Sequence, residues 1–124
     1  MLEPGDLITH VTLPPPIAES RQAYLKLRDR ASYEFALASA AVVINVTGGN
    51  VSRVRIALGG VGTKPWRSPE AEAALVGQPA TQASFRKAAE AALRDAKPQS
   101  QNGFKVELAT RCLAHALHMA TSSA

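Results

Sequence analysis

Sulfur, aromatic rings and long apolar runs are all scarce in this chain of 124 residues. A single cysteine, Cys112, excludes an intrachain disulfide and any zinc or iron–sulfur site built from several cysteines. Three Phe, two Tyr and one Trp leave little material for a large aromatic pocket, and abundant alanine points instead to close helix packing. No apolar run approaches the roughly 18 residues of a membrane span, so no membrane association is expected. No basic-then-apolar signal pattern opens the residues present, which makes a cytoplasmic location the default expectation. Charge excess is mild as well: 14 Lys and Arg against 10 Asp and Glu give a net +4, dispersed rather than gathered in a run. A nucleic-acid binder would need Lys26, Arg28, Arg30, Arg53 and Arg55 to line up as one salt-sensitive stripe, and it is the weakest reading.

What is present fits one domain, residues 1–124, around one modest core. Leu7, Thr9, Val11 and Leu13 share one face of an extended segment, which Pro14-Pro15-Pro16 stops; it is an edge strand or a stiff connector. From Ala23 to Arg28 the alternation is clean, with Ala23, Leu25 and Leu27 on the core side and Tyr24, Lys26 and Arg28 on the other. The apolar run Ala36 to Val46 and the return Arg53 to Leu58 flank Thr47-Gly48-Gly49-Asn50, and together they read as an antiparallel hairpin. Val54, Ile56 and Leu58 should point inward, Arg53 and Arg55 outward.

The second half is helical. Ser68 is a natural N-cap with Pro69 at the first helical position, Glu70 and Glu72 suit the positive end of the dipole, and Gly77 ends the helix. Thr81 caps a second helix with a stripe of Phe85, Ala88, Ala89, Ala92, Leu93 and Ala96, stopped by Lys97-Pro98. A third runs from about Phe104 to Ala120, burying Leu108, Ala109, Cys112, Leu113, Ala116, Leu117 and Ala120. Strands followed by helices imply an α+β fold: an antiparallel β-meander packed on a layer of three helices.

Most chemical signals have a plain structural reading. Gly59, Gly60 and Gly62 match neither a Walker loop, since Lys64 precedes Pro65, nor the G-x-G-x-x-G spacing. They suit a positive-φ strand exit close to another backbone, or a contact with another domain. Trp66 reads as a lid on the sheet–helix seam with its N–H satisfied locally, or as an interface anchor together with Arg67. His10, His115 and His118 lack a third ligand partner and are read as surface residues, while Cys112 is a buried, inert thiol. No catalytic triad or paired-carboxylate signature is present, so no catalytic residue and no metal ligand is assigned.

The stretch from Arg55 through Leu58-Gly59-Gly60-Val61-Gly62-Thr63-Lys64-Pro65-Trp66-Arg67-Ser68-Pro69-Glu70 to Gly77, with Tyr24-Leu25-Lys26-Leu27-Arg28-Asp29-Arg30-Ala31-Ser32-Tyr33-Glu34-Phe35-Ala36 upstream, resembles a known family. It is similar to the C-terminal domain of the FAD-binding (medium) subunit of molybdenum hydroxylases, which include carbon monoxide dehydrogenase, xanthine dehydrogenase and aldehyde oxidoreductases. The resemblance covers about Gly5 to Leu117. It implies an antiparallel sheet on three helices and a role in closing one side of a flavin site, with Lys26 toward the isoalloxazine edge and Tyr33 and Glu34 nearby. Tyr24, Arg28, Arg30 and Ser32 complete that constellation, whose bland reading is the solvated face of an edge strand. Trp66, Arg67 and Gly60 are the implied interface residues.

The resemblance further implies FAD as the cofactor of the intact subunit, bound weakly or not at all by these residues alone, because the glycine-rich phosphate loops lie in an N-terminal half absent here. The molybdenum cofactor and [2Fe-2S] clusters belong to partner subunits, and electrons pass from those clusters to FAD. Expected partners are that N-terminal half (or a separate chain carrying it), the [2Fe-2S] subunit and the molybdopterin subunit. A periplasmic location, reached through another subunit's export signal, is the alternative to the cytoplasm. A stand-alone, non-catalytic assembly module that forms a homodimer through its exposed face is the competing function.

Overall fold

A computed structural model describes residues 2–122 as a four-stranded antiparallel sheet covered on one face by three helices. This is the α+β meander expected from the sequence. β1 (Arg21–Leu27), β2 (Ala38–Thr47), β3 (Asn50–Gly59) and β4 (Trp66–Arg67) lie side by side in chain order. The β2–β3 hairpin closes through Gly48 and Gly49 at φ 57° and 82°, with Thr47 paired to Asn50. Positive φ at both central residues is what a two-residue turn needs to follow strand twist. A register shift between Asn45 and Val46 turns Val51 inward, where it is fully buried.

Helices α1 (Pro69–Leu75), α2 (Gln82–Leu93) and α3 (Phe104–Ser122) form the second layer. Ser68 Oγ accepts the Ala71 N–H and Thr81 Oγ1 that of Ser84, so both proposed caps are in place. α2 ends at Leu93, one turn before the Ala96 of the sequence stripe; only the Ala96 N–H to Leu93 carbonyl bond continues the coil. Pro98 disfavours helical geometry in the residue before it, and the chain leaves the helix ahead of that point. α3 lies over β1 and β2, α1 beside β3, and α2 between the two helices.

The core is built from small pieces. Ala38 and Ala40 on β2, Ala109, Ala116 and Ala120 on α3, and Ala71, Ala88 and Ala89 on the other two helices are all buried in one cluster. Phe85, Ile44, Ile56, Leu75, Leu113 and Leu117 supply the bulk. Cys112 is buried in this layer with its thiol on the Leu25 carbonyl at 3.8 Å, and burial pushes its pKa up to about 11. A thiol-specific disulfide reagent at pH 8 is therefore expected to leave the native protein unlabelled and to titrate one thiol after denaturation. Rapid labelling of the folded chain would contradict this packing.

Two features differ from the sequence reading. The segment 7–13 joins no strand, and Leu7, Val11 and Leu13 are 75–83% exposed. It is the connector alternative rather than an edge of this sheet. The Trp66–Arg67 pair, assigned to no strand from the sequence, pairs with Leu58 and Ala57 as β4.

Candidate functional site

Sheet register decides which side chains share a face. Ala23, Leu25 and Leu27 face the helices, so Gln22, Tyr24 and Lys26 emerge on the opposite side, which no helix covers. Across the ladder Tyr24 aligns with Ala41, Ala57 and Arg67, and Gln22 with Val43 and Arg55. These residues line a shallow open depression with a floor of small side chains. Lys26 stands one row further along, aligned with Ser39 and Gly59 at the start of the glycine loop.

At that end of the sheet two loops meet. Lys26 Nζ donates to the Glu34 carbonyl at 2.6 Å, tying β1 to the loop that leads into β2. The Glu34 carboxylate turns back into its own loop and accepts the Asp29 and Arg30 N–H groups at 2.9 and 3.0 Å. Arg30 holds the Tyr33 carbonyl at 2.6 Å, with Tyr33 at φ 52°. The Tyr33 ring is 96% exposed, and that of Phe35 94%. Of the three residues assigned to the flavin, Lys26 and Glu34 are thus in contact through the Glu34 backbone, and the Tyr33 ring packs on neither. Phe35 was not singled out in the sequence, although its exposure makes it as available as Tyr33.

Gly60 joins the glycine loop to this cluster. At φ 73°, its α-carbon lies so close to the Ala36 and Leu37 carbonyls that a β-carbon would come within 2.8 and 3.1 Å of their oxygens. Its own carbonyl accepts Lys105 Nζ at 2.9 Å, fastening the loop to α3. The close backbone approach read from the glycines is present.

Trp66 is half-exposed over the seam between sheet and helices, beside Leu58, Val61, Ala92 and Leu93. Its position is the lid expected, but its indole N–H has no partner among the described residues. Arg67 and Arg55 both pair with Glu72, at 3.1 and 3.2 Å. Glu72 also accepts the Ile56 N–H at 3.1 Å, where β4 is too short to continue the ladder. Burial pushes the Glu72 carboxyl up; the Arg67 hydrogen bonds, the Ile56 N–H and both guanidinium charges outweigh it and hold it below the usual range. Sequence reasoning saw in Glu72 only a partner for the helix dipole.

The cations do not make a free stripe, since Arg55 is held by Glu72, Arg30 by the Tyr33 carbonyl and Lys26 by that of Glu34. No group of three or more metal-ligating side chains occurs among the described residues. His115 and His118 sit exposed with ring centroids 6.4 Å apart, beside Arg86 and Arg111. No described helix is long and apolar enough to cross a membrane.

Residues 22–120 match the CO dehydrogenase flavoprotein C-terminal domain family. The chain belongs to this family. It is 44% identical over 123 residues to the aldehyde oxidoreductase FAD-binding subunit PaoB of Escherichia coli, covering 99% of this chain and 35% of that one. It is 32% identical to the carbon monoxide dehydrogenase medium chain of Afipia carboxidovorans, covering 89% and 38%. Among solved structures, carbon monoxide dehydrogenase from Hydrogenophaga pseudoflava superposes with a TM-score of 0.80 at 33% identity, over 89% of this chain and 39% of that one. Quinoline 2-oxidoreductase from Pseudomonas putida 86 gives 0.76 at 26%, over 85% and 38%. The chain therefore spans little more than a third of the length of the relatives it matches.

Proposed function

We propose that this domain forms one wall of the flavin site in the FAD-binding subunit of a molybdenum hydroxylase, and packs there against the subunits that carry the molybdenum cofactor and the [2Fe-2S] clusters. The reading rests on family membership together with one observation: an ammonium, Lys26, stands where an open, flat sheet face meets two tightly joined loops. FAD supplies the acceptance and relay of electrons.

The residues present fit one part of that cofactor and not another. A planar ring system can lie against the small-residue floor at Ala41 and Ala57, beside the exposed Tyr24 ring. Negative charge that develops on a reduced ring is stabilised by a fixed cation, which Lys26 provides. A pyrophosphate has no comparable place, because Gly60 is spent on contact with two carbonyls and Lys64 is followed by Pro65. On this reading, phosphate binding falls to a part of the subunit outside this domain. Glu34 organises the loop beneath Lys26, while Tyr33, Phe35 and Trp66 offer exposed aromatic surface to neighbouring chains.

The test is a titration of FAD into the chain alone and into the chain mixed with the upstream part of the E. coli relative, each with Lys26→Met in parallel. Little or no saturable binding is expected for the chain alone, and clear binding for the mixture. In the mixture, Lys26→Met should weaken flavin binding about tenfold, roughly 1.4 kcal/mol, and lower the flavin midpoint potential. A purely structural lysine would leave the potential where it was, and an unchanged potential with unchanged affinity would remove Lys26 from the site.

A further inference from the structure

Beneath Trp66 lies a notch of about 240 Å³ that the flavin reading leaves unused. Register sets it apart from the open sheet face: Trp66 pairs with the inward-facing Leu58, whereas Arg67 pairs with Ala57 on the other side. Its walls are of two kinds. Leu58, Val61, Ala92 and Leu93 line it with apolar groups, and the half-exposed indole forms one side. Glu70, at the start of α1, and Asp95, just past the end of α2, bring two carboxylates, and Lys97 brings one ammonium.

These charges are not engaged with one another. Among the described residues Asp95 and Lys97 have no ion pair or side-chain hydrogen bond, and Glu70 meets only the Ser68 hydroxyl, at 3.3 Å. α2 has no basic side chain in its last turn, and the negative end of its dipole lies beside the notch. Two carboxylates and a helix C-terminus against one ammonium leave the notch net negative. The indole adds to this, because the face of its ring attracts cations. The apolar walls suit a hydrocarbon stem, so a cation at the end of such a stem satisfies both halves of the site.

We infer that the notch receives an arginine side chain from a neighbouring chain of the complex. The inference rests on the reading above that this domain packs against other subunits. A guanidinium is flat, so it stacks on the indole while its fork of N–H donors reaches toward Glu70 and Asp95. Its methylene stem lies along Leu58, Val61, Ala92 and Leu93. A lysine supplies the charge and the stem but no planar face to stack. Tryptophan and arginine are also both enriched among the side chains that carry most of an interface's binding energy.

Trp66 is the single tryptophan, so the one indole N–H signal in a nitrogen–proton NMR spectrum of the full chain reports on the notch. The probes are N-acetyl-arginine amide, its uncharged isostere N-acetyl-citrulline amide, and N-acetyl-leucine amide, all at matched salt. The arginine probe should shift the indole signal saturably in the millimolar range, and the other two should not. The double variant Glu70→Gln/Asp95→Asn, whose fold the same spectra check, should weaken arginine binding roughly fivefold, as the loss of two exposed charge pairs would. No saturable shift with arginine, an equal response to citrulline, or unchanged affinity in the variant would overturn the inference. Tighter binding of the leucine probe would mean an apolar occupant and would overturn it too. Neither FAD nor Lys26 enters this titration, so its failure leaves the flavin-wall reading to stand or fall on its own test.

Discussion

Replacing Glu72 by Ala is expected to destabilise the domain by about 2–3 kcal/mol and to lower its thermal midpoint by roughly 10 °C. One carboxylate serves three groups at once: the Ile56 N–H, Arg55 and Arg67. The largest loss is the Ile56 N–H, which lies in a buried stretch of β3 and would be left without an acceptor, at about 1–3 kcal/mol. The two arginines add less, because their side chains are 47 and 60% exposed and water can replace the carboxylate. Glu72→Gln separates the contributions. It keeps an oxygen for Ile56 and discards the charge, so it should cost about 1 kcal/mol, within the range for charge-assisted bonds.

The pH dependence has a definite sign. Glu72 has its pKa lowered in the folded state from a reference of 4.5, so the unfolded chain takes up its proton first as pH falls. The stabilisation is complete above about 4.5 and is lost as pH drops through the lower folded value. Glu107, held down to about 2 by Arg86 and Arg111, contributes a slope of the same sign. The diagnostic is therefore the difference between wild type and Glu72→Gln, measured by urea unfolding from pH 7 to pH 3. Wild type should lose more stability over that interval, and parallel curves would show that the charge of Glu72 contributes nothing.

Gly60→Ala is expected to cost a similar amount, about 2–3 kcal/mol, for a different reason. A non-glycine residue at φ 73° carries roughly 1–2 kcal/mol of backbone strain. The new methyl would in addition stand 2.8 Å from the Ala36 oxygen, and backbone on both sides leaves no flexible side chain to yield. The loops must then part. The effect should therefore spread: faster amide exchange at residues 34–38 and 59–62, and loosening of the Lys105 tether to the Gly60 carbonyl. Gly62, at ordinary φ and with only the Lys64 carbonyl oxygen within 4 Å, is the control and should accept alanine with little change. Equal effects at the two glycines would mean that the close approach at Gly60 does not govern the loop.

Much of this fold was legible because its signals are local. Gly48-Gly49 between two β-rich runs names its own turn, Ser68-Pro69 and Thr81 name their own caps, and the stripes of α2 and α3, Ala96 apart, fall on the side that packs into the core. What escaped was set by distant partners. Glu72 sits in the first turn of a helix, which is sufficient reason for an acid, and its real partners are 5, 16 and 17 residues away. β4 has two residues, too few for any period to appear. The alternation at 7–13 suits extended chain, but the segment joins no strand of this sheet, and period alone cannot separate an edge strand from a connector. Among the site residues, Lys26 was placed on the right face by alternation alone. Its bond to the Glu34 carbonyl, and the inward turn of the Glu34 carboxylate, depend on a loop conformation that no pattern encodes.

The alanines of the interior have a thermodynamic consequence. Ala38, Ala40, Ala71, Ala88, Ala89, Ala109, Ala116 and Ala120 have no side-chain torsion to freeze, so packing them costs backbone entropy only. A leucine or methionine at each place would bring more apolar area, and also rotamer freedom to surrender on folding. The domain instead draws its layers close and keeps its disorder cost low. The side-chain freedom that survives folding sits in exposed rings, Tyr24 on the open sheet face and Tyr33 and Phe35 on the loop beside it.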